Sequence, residues 1–213
     1  MISLTLNEIK TLNKAIDNKC IIGINYSGNL LKEQDEKLFA EAKASLIKKG
    51  ILKDFYHFTP EGALIYGRLM KYKKAKRYIE IQGIWLGLCD ENITIGINQT
   101  DYDSYQINTI ATDSILQTLE KKYDFIKKTG DESDSQLINH ANNRDISNKY
   151  LHEAKSRFRL RYIEGNKMRS MLFFYDGKDR FLFDTNEDEL YQETADQMNQ
   201  RITTMLGWEV TNG

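Results

Sequence analysis

Short runs that alternate apolar and polar residues recur from residue 78 onward in this 213-residue chain. An apolar side chain at every second position is the spacing of a β-strand with one buried face. A first group of such runs covers residues 78–82, 84–89, 93–97 and 105–110. Thr112 then precedes a helical pattern, in which apolar residues recur three and four positions apart. The helical positions are Ile115, Leu119, Tyr123 and Ile126.

A second group of runs follows the same order of elements. Phe158, Leu160 and Tyr162 alternate with arginines, which predicts a strand. Turns are predicted at 165–166 and at the Asp-Gly pair 176–177, with further strands over residues 168–175 and 180–183. Thr185 is predicted to open a long helix whose apolar positions continue to Met205.

Together the two groups predict an α+β fold with two half-domains, residues 77–128 and 149–213. Their strands are expected to join in one antiparallel sheet with a quasi-twofold arrangement and helices at its flanks. One small copy alone would leave a sheet edge and one face exposed. Residues 129–148, rich in Asp, Ser and Asn, predict a long polar surface loop between the halves. Residues 1–76 are predicted to be helical, and 1–213 to form a single domain.

The N-terminal part carries clear helix boundaries. Thr5 and Glu8 have the spacing of a capping box, so a first helix is predicted to begin near Leu6. A second helix is predicted over residues 33–49 and ends at Gly50, which favours the left-handed backbone of a helix stop.

Residues 45–69 resemble the helix, wing and following helix of winged-helix DNA-binding regulators. Residues 51–58 predict a short strand pair, and Thr59 with Pro60 predicts the start of a third helix. The surrounding segment is basic, since residues 1–80 hold 15 Lys and Arg against 9 Asp and Glu. A winged-helix transcriptional regulator is therefore the alternative function.

Two features oppose DNA binding. Only two predicted helices precede the wing, where the motif has three. The helix that would enter the groove also begins with Glu33, Asp35 and Glu36, and carboxylates there repel phosphates. Nucleic acid is therefore not the expected partner.

Composition indicates a soluble globular protein, with 40% apolar and 29% charged residues. The first residues do not predict a signal peptide, and every apolar run is shorter than the roughly 20 residues of a membrane-spanning helix. A cytoplasmic location is expected. Cys20 and Cys89 lack metal-ligand spacing and are predicted to be buried as small apolar residues.

The sequence predicts no catalytic residue, cofactor or metal site, and the protein is expected not to be an enzyme. His57, His140 and His152 belong to no metal-binding or nucleophile pattern. Residues 23–30 have the glycine spacing of a phosphate-binding loop but lack its Lys and Ser or Thr.

A protein-binding module is the remaining hypothesis. Trp85, Tyr105, Phe173 and Tyr175 are candidate exposed aromatic anchors, because such side chains are enriched where a partner is desolvated. Core packing is the alternative for each of them, since alternation alone does not say which face of a strand is buried.

The order of elements resembles the EspG-type cytosolic chaperones of ESX, or type VII, secretion over nearly the full length. The resemblance lies in the capped helix near Leu6, the segments SLIKKGIL and FTPEGALIYGRLM, and the second half that begins with RFRLRYIEG. It is a likeness in element order and not in invariant residues.

This resemblance implies a quasi-twofold antiparallel sheet and a non-enzymatic role in holding a helical secretion substrate before export. It also implies partner binding near the turn formed by Asp90, Glu91 and Asn92, where the family often has a longer substrate-contacting loop. The turn is short here, so a helical toxin or small helical secreted protein of a Gram-positive bacterium is the expected partner, over an interface of about 800 Å² per side. A homodimer is also possible.

Overall fold

The computed structural model describes residues 2–17, 19–26, 35–90, 92–131, 133–140, 146 and 150–207. Its helices are α1 (Leu6–Lys14), α2 (Asp35–Lys48), α3 (Pro60–Lys73), α4 (Asp113–Lys122) and α5 (Ala195–Met205). Its strands are β1 (Arg77–Ile81), β2 (Ile84–Leu88), β3 (Ile93–Asp101), β4 (Ser104–Ala111), β5 (Gln136–His140), β6 (Ser156–Glu164), β7 (Lys167–Tyr175), β8 (Arg180–Asp184) and β9 (Glu189–Gln192). The strands form one nine-stranded antiparallel sheet in the order β4-β3-β2-β1-β6-β7-β8-β9-β5. The predicted α+β class is confirmed.

The chain divides into two compact units. The first comprises Met1–Lys76, Gly83–Cys89 and Thr94–Thr109, and the second comprises Arg77–Gln82, Asp90–Ile93 and Ile110–Gly213. The first unit therefore holds α1 to α3 with β2 and most of β3 and β4. The second holds β1, β5 to β9, α4 and α5.

The first helix of the first unit begins where the capping box predicted. The Thr5 hydroxyl accepts a hydrogen bond from the Glu8 amide at 3.3 Å, and the Glu8 carboxylate accepts one from the Thr5 amide at 2.7 Å. Lys49 donates to the same buried carboxylate at 2.7 Å. Leu12 of α1 and Leu46 of α2 are buried in the core of the same unit.

Helix α3 also begins as predicted. The Thr59 hydroxyl accepts a hydrogen bond from the Gly62 amide at 3.0 Å, and Pro60 takes the first helical position. A Cβ at Gly62 would lie 1.8 Å from the Ile51 carbonyl oxygen, so only glycine permits this close approach of two backbones. The predicted strand pair before this helix is reduced to one bridge between Leu52 and Phe58.

The second unit is built on the hairpin of β6 and β7, paired from Ser156 with Tyr175 to Glu164 with Lys167. Phe158 and Phe173 face each other across this pair and their rings stack 4.9 Å apart. The Tyr123 ring lies on Phe158 at 4.5 Å, and aromatic contact of this kind adds to the area buried. Helices α4 and α5 add buried apolar residues to the unit, namely Ile115, Leu119, Met198 and Ile202.

The opposite face of β7 is also covered. Leu172 and Phe174 of β7 form a second apolar cluster with Ile146 and with residues of β8 and β9. Tyr150 packs against this cluster. Strands β7 and β8 are therefore buried on both faces over part of their length, which explains their continuous apolar runs.

The prediction that a long helix opens at Thr185 is wrong. The Thr185 hydroxyl donates instead to the Ser170 carbonyl at 2.8 Å, and β9 follows and pairs with both β8 and β5. Helix α5 begins only after Thr194, whose hydroxyl accepts a hydrogen bond from the Gln197 amide at 3.2 Å. The short strand β9 buries Leu190, and its apolar positions matched the helical spacing by coincidence.

Three smaller predictions also need correction. Thr112 precedes α4 as expected, but its backbone is already helical and its side chain makes no capping bond. The segment 129–148 is not only loop, because it contains β5, while residues 141–145 and 147–148 lie outside the described residues. Cys20 is exposed and Cys89 half-buried, so neither is the buried small residue that was predicted, whereas Ile21 and Ile24 near Cys20 in the chain are buried.

Candidate binding cleft

An open cleft lies on the α5 side of the second unit, beyond the aromatic end of the β6–β7 hairpin. Its cavity volume is about 610 Å³, within the range of ligand-binding pockets. Residues from β6, β7 and α5 line most of it. They are Tyr162, Glu164, Lys167, Arg169, Met171, Gln197, Gln200, Arg201, Thr204 and Met205, together with Ser135 and Glu193.

Strand geometry explains why these residues share one face. Leu160 pairs with Met171, Tyr162 with Arg169, and Glu164 with Lys167. Every second residue of a strand projects to the same side, so the face that carries Phe158 in the core continues into the cleft.

A buried ion pair forms the inner wall of the cleft. The Arg201 Nε donates to Glu193 Oε1 at 2.5 Å, and the Glu193 side chain is fully buried while that of Arg201 is 37% exposed. The Arg201 guanidinium also lies 5.2 Å from the centre of the Tyr191 ring, within the range of a cation–π contact. Its two terminal nitrogens donate to no other described residue.

Glu193 has an unsatisfied oxygen. Its Oε2 is buried and has no hydrogen-bond partner among the described residues. Burial raises the pKa of the Glu193 carboxyl above its ordinary value, and the attraction of Arg201 offsets that shift only in part. A buried acceptor without a partner among the described residues is costly, and the same burial is the cause of the raised pKa.

The carboxylate of Glu164 at the outer end of the hairpin is already neutralised. Tyr162 donates its hydroxyl to Glu164 at 2.6 Å, and the Arg77 Nε donates to it at 2.7 Å. The Tyr162 hydrogen bond, and then that of Arg77, holds the pKa of Glu164 below its ordinary value. This carboxylate therefore adds little negative charge to the cleft.

Lys167 and Arg169 contribute uncompensated positive charge. Both side chains are exposed, and neither forms an ion pair or side-chain hydrogen bond with another described residue. Because Glu193 and Glu164 are each paired with an arginine, the cleft carries a surplus of about two positive charges. Met171 and Met205 supply a buried apolar floor.

Asp196, in the first turn of α5, fixes the chain that runs alongside the cleft. Its carboxylate accepts hydrogen bonds from the Thr129 amide at 2.8 Å, the Thr129 hydroxyl at 2.9 Å and the Gly130 amide at 3.1 Å. Burial acts to raise the pKa of Asp196, but the hydrogen bonds from Thr129 and its neighbours outweigh it, so that the pKa lies below its ordinary value. The carboxylate also suits a helix N-terminus.

The predicted aromatic anchors occupy different environments. Tyr105 is 2% exposed and Phe173 fully buried, so the prediction that they are exposed anchors is wrong and the core alternative holds. Trp85 is half-buried and lies so close to Gly23 that a Cβ there would be 2.4 Å from its ring. Tyr175 is half-buried and stacks on Phe125, with ring centres 6.0 Å apart.

The predicted contact turn is partly described. Asp90 and Asn92 are exposed, and the Asp90 carboxylate accepts hydrogen bonds from the amides of Asn92 and Ile93 at 3.0 and 2.7 Å. Glu91 lies outside the described residues. Asp90 thus stabilises its own turn, which is the usual role of aspartate at such a position.

The predicted site residues do not include those of the cleft. A sequence signal for part of it exists, because Thr194 and Gln197 have capping-box spacing and so locate the start of α5. With that start, Gln197, Gln200, Arg201 and Thr204 lie on one side of the helix. The unsatisfied oxygen of Glu193 has no counterpart in a sequence pattern.

The described residues contain no group of three or more His, Cys, Asp or Glu placed to hold a metal ion. None of the helices in the described ranges combines the length and apolar character that crossing a bilayer requires.

The fold is that of an α+β protein with an open antiparallel sheet, and its cleft has the character of a binding site. The chain belongs to a protein family described as a domain of unknown function, DUF5081, whose model matches residues 3–212. No curated protein matches the chain.

Proposed function

We propose that this protein is a cytoplasmic, non-enzymatic chaperone or adaptor that binds one helical substrate of a type VII secretion system before export. The proposal follows from the resemblance in element order to the EspG-type chaperones. Its partner is a helical secreted protein or toxin, and it needs neither a cofactor nor a metal ion.

The observation that carries this proposal is the cleft of the second unit. It combines an apolar floor from Met171 and Met205 with exposed cations at Lys167 and Arg169, which pair with no other described residue. Mixed surfaces of this kind suit a protein partner, because an interface needs both apolar area and complementary charge. The cleft is also open along one side of a helix, which leaves room for an elongated partner.

The strand order supports the quasi-twofold arrangement that the resemblance implies. In sequence, four strands precede α4 and four strands from β6 to β9 precede α5. In the sheet, these sets run outward in opposite directions from the antiparallel pair of β1 and β6, and β5 joins at one edge. We propose that the two sets are the halves of a duplicated unit.

Co-expression tests the proposed function. The tagged chain would be produced with each helical secreted protein encoded near its gene, and the products separated by size-exclusion chromatography. Co-elution with one of them at equal stoichiometry is expected, whereas an unrelated helical protein of the same size serves as the control. If none of the neighbours co-elutes, the chaperone proposal is wrong.

A winged-helix regulator is the second candidate, and the turn between α2 and α3 favours it. Tyr56 in this turn is 85% exposed, and Lys43 lies 5.4 Å from the centre of its ring. Titration of the protein with duplex DNA at several salt concentrations separates the two classes. A regulator would bind with an affinity that falls steeply with salt, and absence of such binding removes this candidate.

A further inference from the structure

We infer that the cleft of the second unit binds an acidic polypeptide segment, as found in the first turn of a helix. This inference rests on the proposed function, because it names the part of the helical partner that the cleft receives. The charges of the cleft and its apolar floor support it.

Charge is the first reason. The two carboxylates of the cleft are each held by an arginine, with Arg201 on Glu193 at 2.5 Å and Arg77 on Glu164 at 2.7 Å. Lys167 and Arg169 have no such partner among the described residues. A segment with carboxylates complements this surplus, and charge complementarity steers association and fixes orientation.

The apolar floor is the second reason. Met171 and Met205 are buried where they line the cleft, so a ligand with apolar side chains as well as carboxylates fits it. Acidic side chains are favoured in the first turn of a helix, and the apolar stripe of an amphipathic helix follows that turn. One structural element of a helical partner thus supplies both the carboxylates and the apolar side chains.

Arg201 adds a positioned cation to the lining of the cleft. Its Nε donates to Glu193, and its terminal nitrogens donate to no other described residue. The buried carboxylate therefore holds the planar guanidinium where a ligand carboxylate would pair with its terminal nitrogens. Bidentate pairing of this type adds geometric specificity to the attraction.

Nucleic acid is the less favoured anion. A phosphate backbone carries charge along its whole length, whereas the cleft offers only two cations without a partner among the described residues, Lys167 and Arg169. Met171 and Met205 line the floor, and an apolar floor suits side chains of a polypeptide better than a sugar–phosphate chain. Competition by nucleic acid is therefore an outcome that the test must be able to show.

Fluorescence anisotropy with a labelled peptide tests the inference on the full chain. The probe is an alanine-based helical peptide of about fifteen residues with glutamates in its first turn, and the reference probe has glutamines at the same positions. We expect the glutamate probe to bind at least about ten-fold more tightly than the glutamine probe. Equal affinity for both probes would overturn the inference.

Matched variants locate the binding. Lys167→Gln with Arg169→Gln removes the unpaired charges of the cleft and is expected to weaken binding about ten-fold. Arg157→Gln with Arg159→Gln removes the same charge from exposed positions on the opposite face of β6 and is expected to leave the affinity unchanged. Two results would overturn the inference. One is an equal loss of affinity in both double variants, and the other is displacement of the peptide by duplex DNA or RNA at equal charge concentration. Circular dichroism on each variant confirms that the fold is retained.

Failure of this inference differs from failure of the proposed function. If the protein co-elutes with a secreted helical protein and the Lys167→Gln, Arg169→Gln variant does so equally well, the partner binds elsewhere and only the acidic-segment inference is overturned. If the peptide binds in the cleft but no neighbouring secreted protein co-elutes, the cleft assignment stands and the chaperone function is overturned.

Discussion

The two ends of the β6–β7 hairpin share one sheet face but have opposite characters. At one end Phe158 and Phe173 stack in a closed aromatic core, and at the other Tyr162 and Arg169 border an open cleft. The change occurs beyond the paired residues Leu160 and Met171. The same alternation of side chains thus runs through a stabilising core and a candidate binding surface.

This comparison shows what an alternating pattern does and does not determine. Alternation with a period of two residues assigns each side chain to one face of the strand. The packing of other elements decides where that face is covered. Tyr123 and Phe125, after α4, cover the aromatic end. At the cleft end α5 leaves space beside the strands, and the residues there are polar or charged.

The largest expected effect is at the aromatic end. Phe173→Ala should lower the free energy of unfolding by about 4 kcal/mol, because it removes a fully buried ring and leaves a cavity. Urea-induced unfolding followed by circular dichroism measures this change. Arg169→Ala, on the same face of the same strand, is the control and should change stability by less than about 0.5 kcal/mol. Similar losses in the two variants would contradict the division of the hairpin.

The ion pair of Glu193 with Arg201 should show an intermediate effect. Arg201→Ala leaves a buried carboxylate without its partner, and because Arg201 is partly exposed we expect a loss of about 2 kcal/mol. Gln200→Ala, at an exposed neighbouring position of α5, serves as the control in the same unfolding assay. An Arg201→Ala protein as stable as the control would show that the pair contributes nothing to the wall of the cleft.

The raised pKa of Glu193 makes its contribution depend on pH. Folding increases proton affinity here, so the stabilisation is fully present below the ordinary glutamate pKa of 4.5 and is lost as pH rises through the raised value. The stability of the native protein relative to Glu193→Gln should therefore fall as pH rises above about 4.5. Unfolding curves from pH 4 to pH 7 measure the difference. A difference that stays constant or grows with pH would refute the burial of this carboxyl.

Asp196 should have a smaller and more local effect. Asp196→Asn weakens the hydrogen bonds to residues 129–131 and should lower the free energy of unfolding by about 1 kcal/mol. The amide of Gly130 should also exchange faster with solvent. Hydrogen exchange followed by mass spectrometry measures the local change. Asp134→Asn, at an exposed carboxylate with no hydrogen bond to a described residue, should leave that exchange unchanged. Equal exchange rates in both variants would show that Asp196 does not anchor the segment.

Sequence patterns predicted most of the strands because each buries one face strongly. The runs at β6 and β7, and the capped starts of α1 and α3, were confirmed since a capping side chain or a turn marks their boundaries. Strand β9 was missed because four residues fit either period, and pairing on both edges with β8 and β5 decided the outcome. Tertiary pairing of this kind is not encoded in local spacing.

The candidate site was less predictable than the fold. Tyr105 and Phe173 were chosen for residue type, yet burial depends on what covers each strand. Glu193 is brought to Arg201 by the turn from β9 into α5, and its unsatisfied oxygen depends on distances in three dimensions. The capping-box spacing of Thr194 and Gln197 is a sequence signal near this region, but the helix was predicted to open at Thr185 instead.

Hydrogen exchange on the complex recovered by co-expression tests the central claim most directly. The claim is that the cleft end of the β6–β7 hairpin receives the partner while the aromatic end serves only the fold. It predicts that amides of residues 167–171 and 197–205 exchange more slowly in the complex than in the free protein. Unchanged exchange in these segments, with protection confined to the turn around Tyr56, would contradict it.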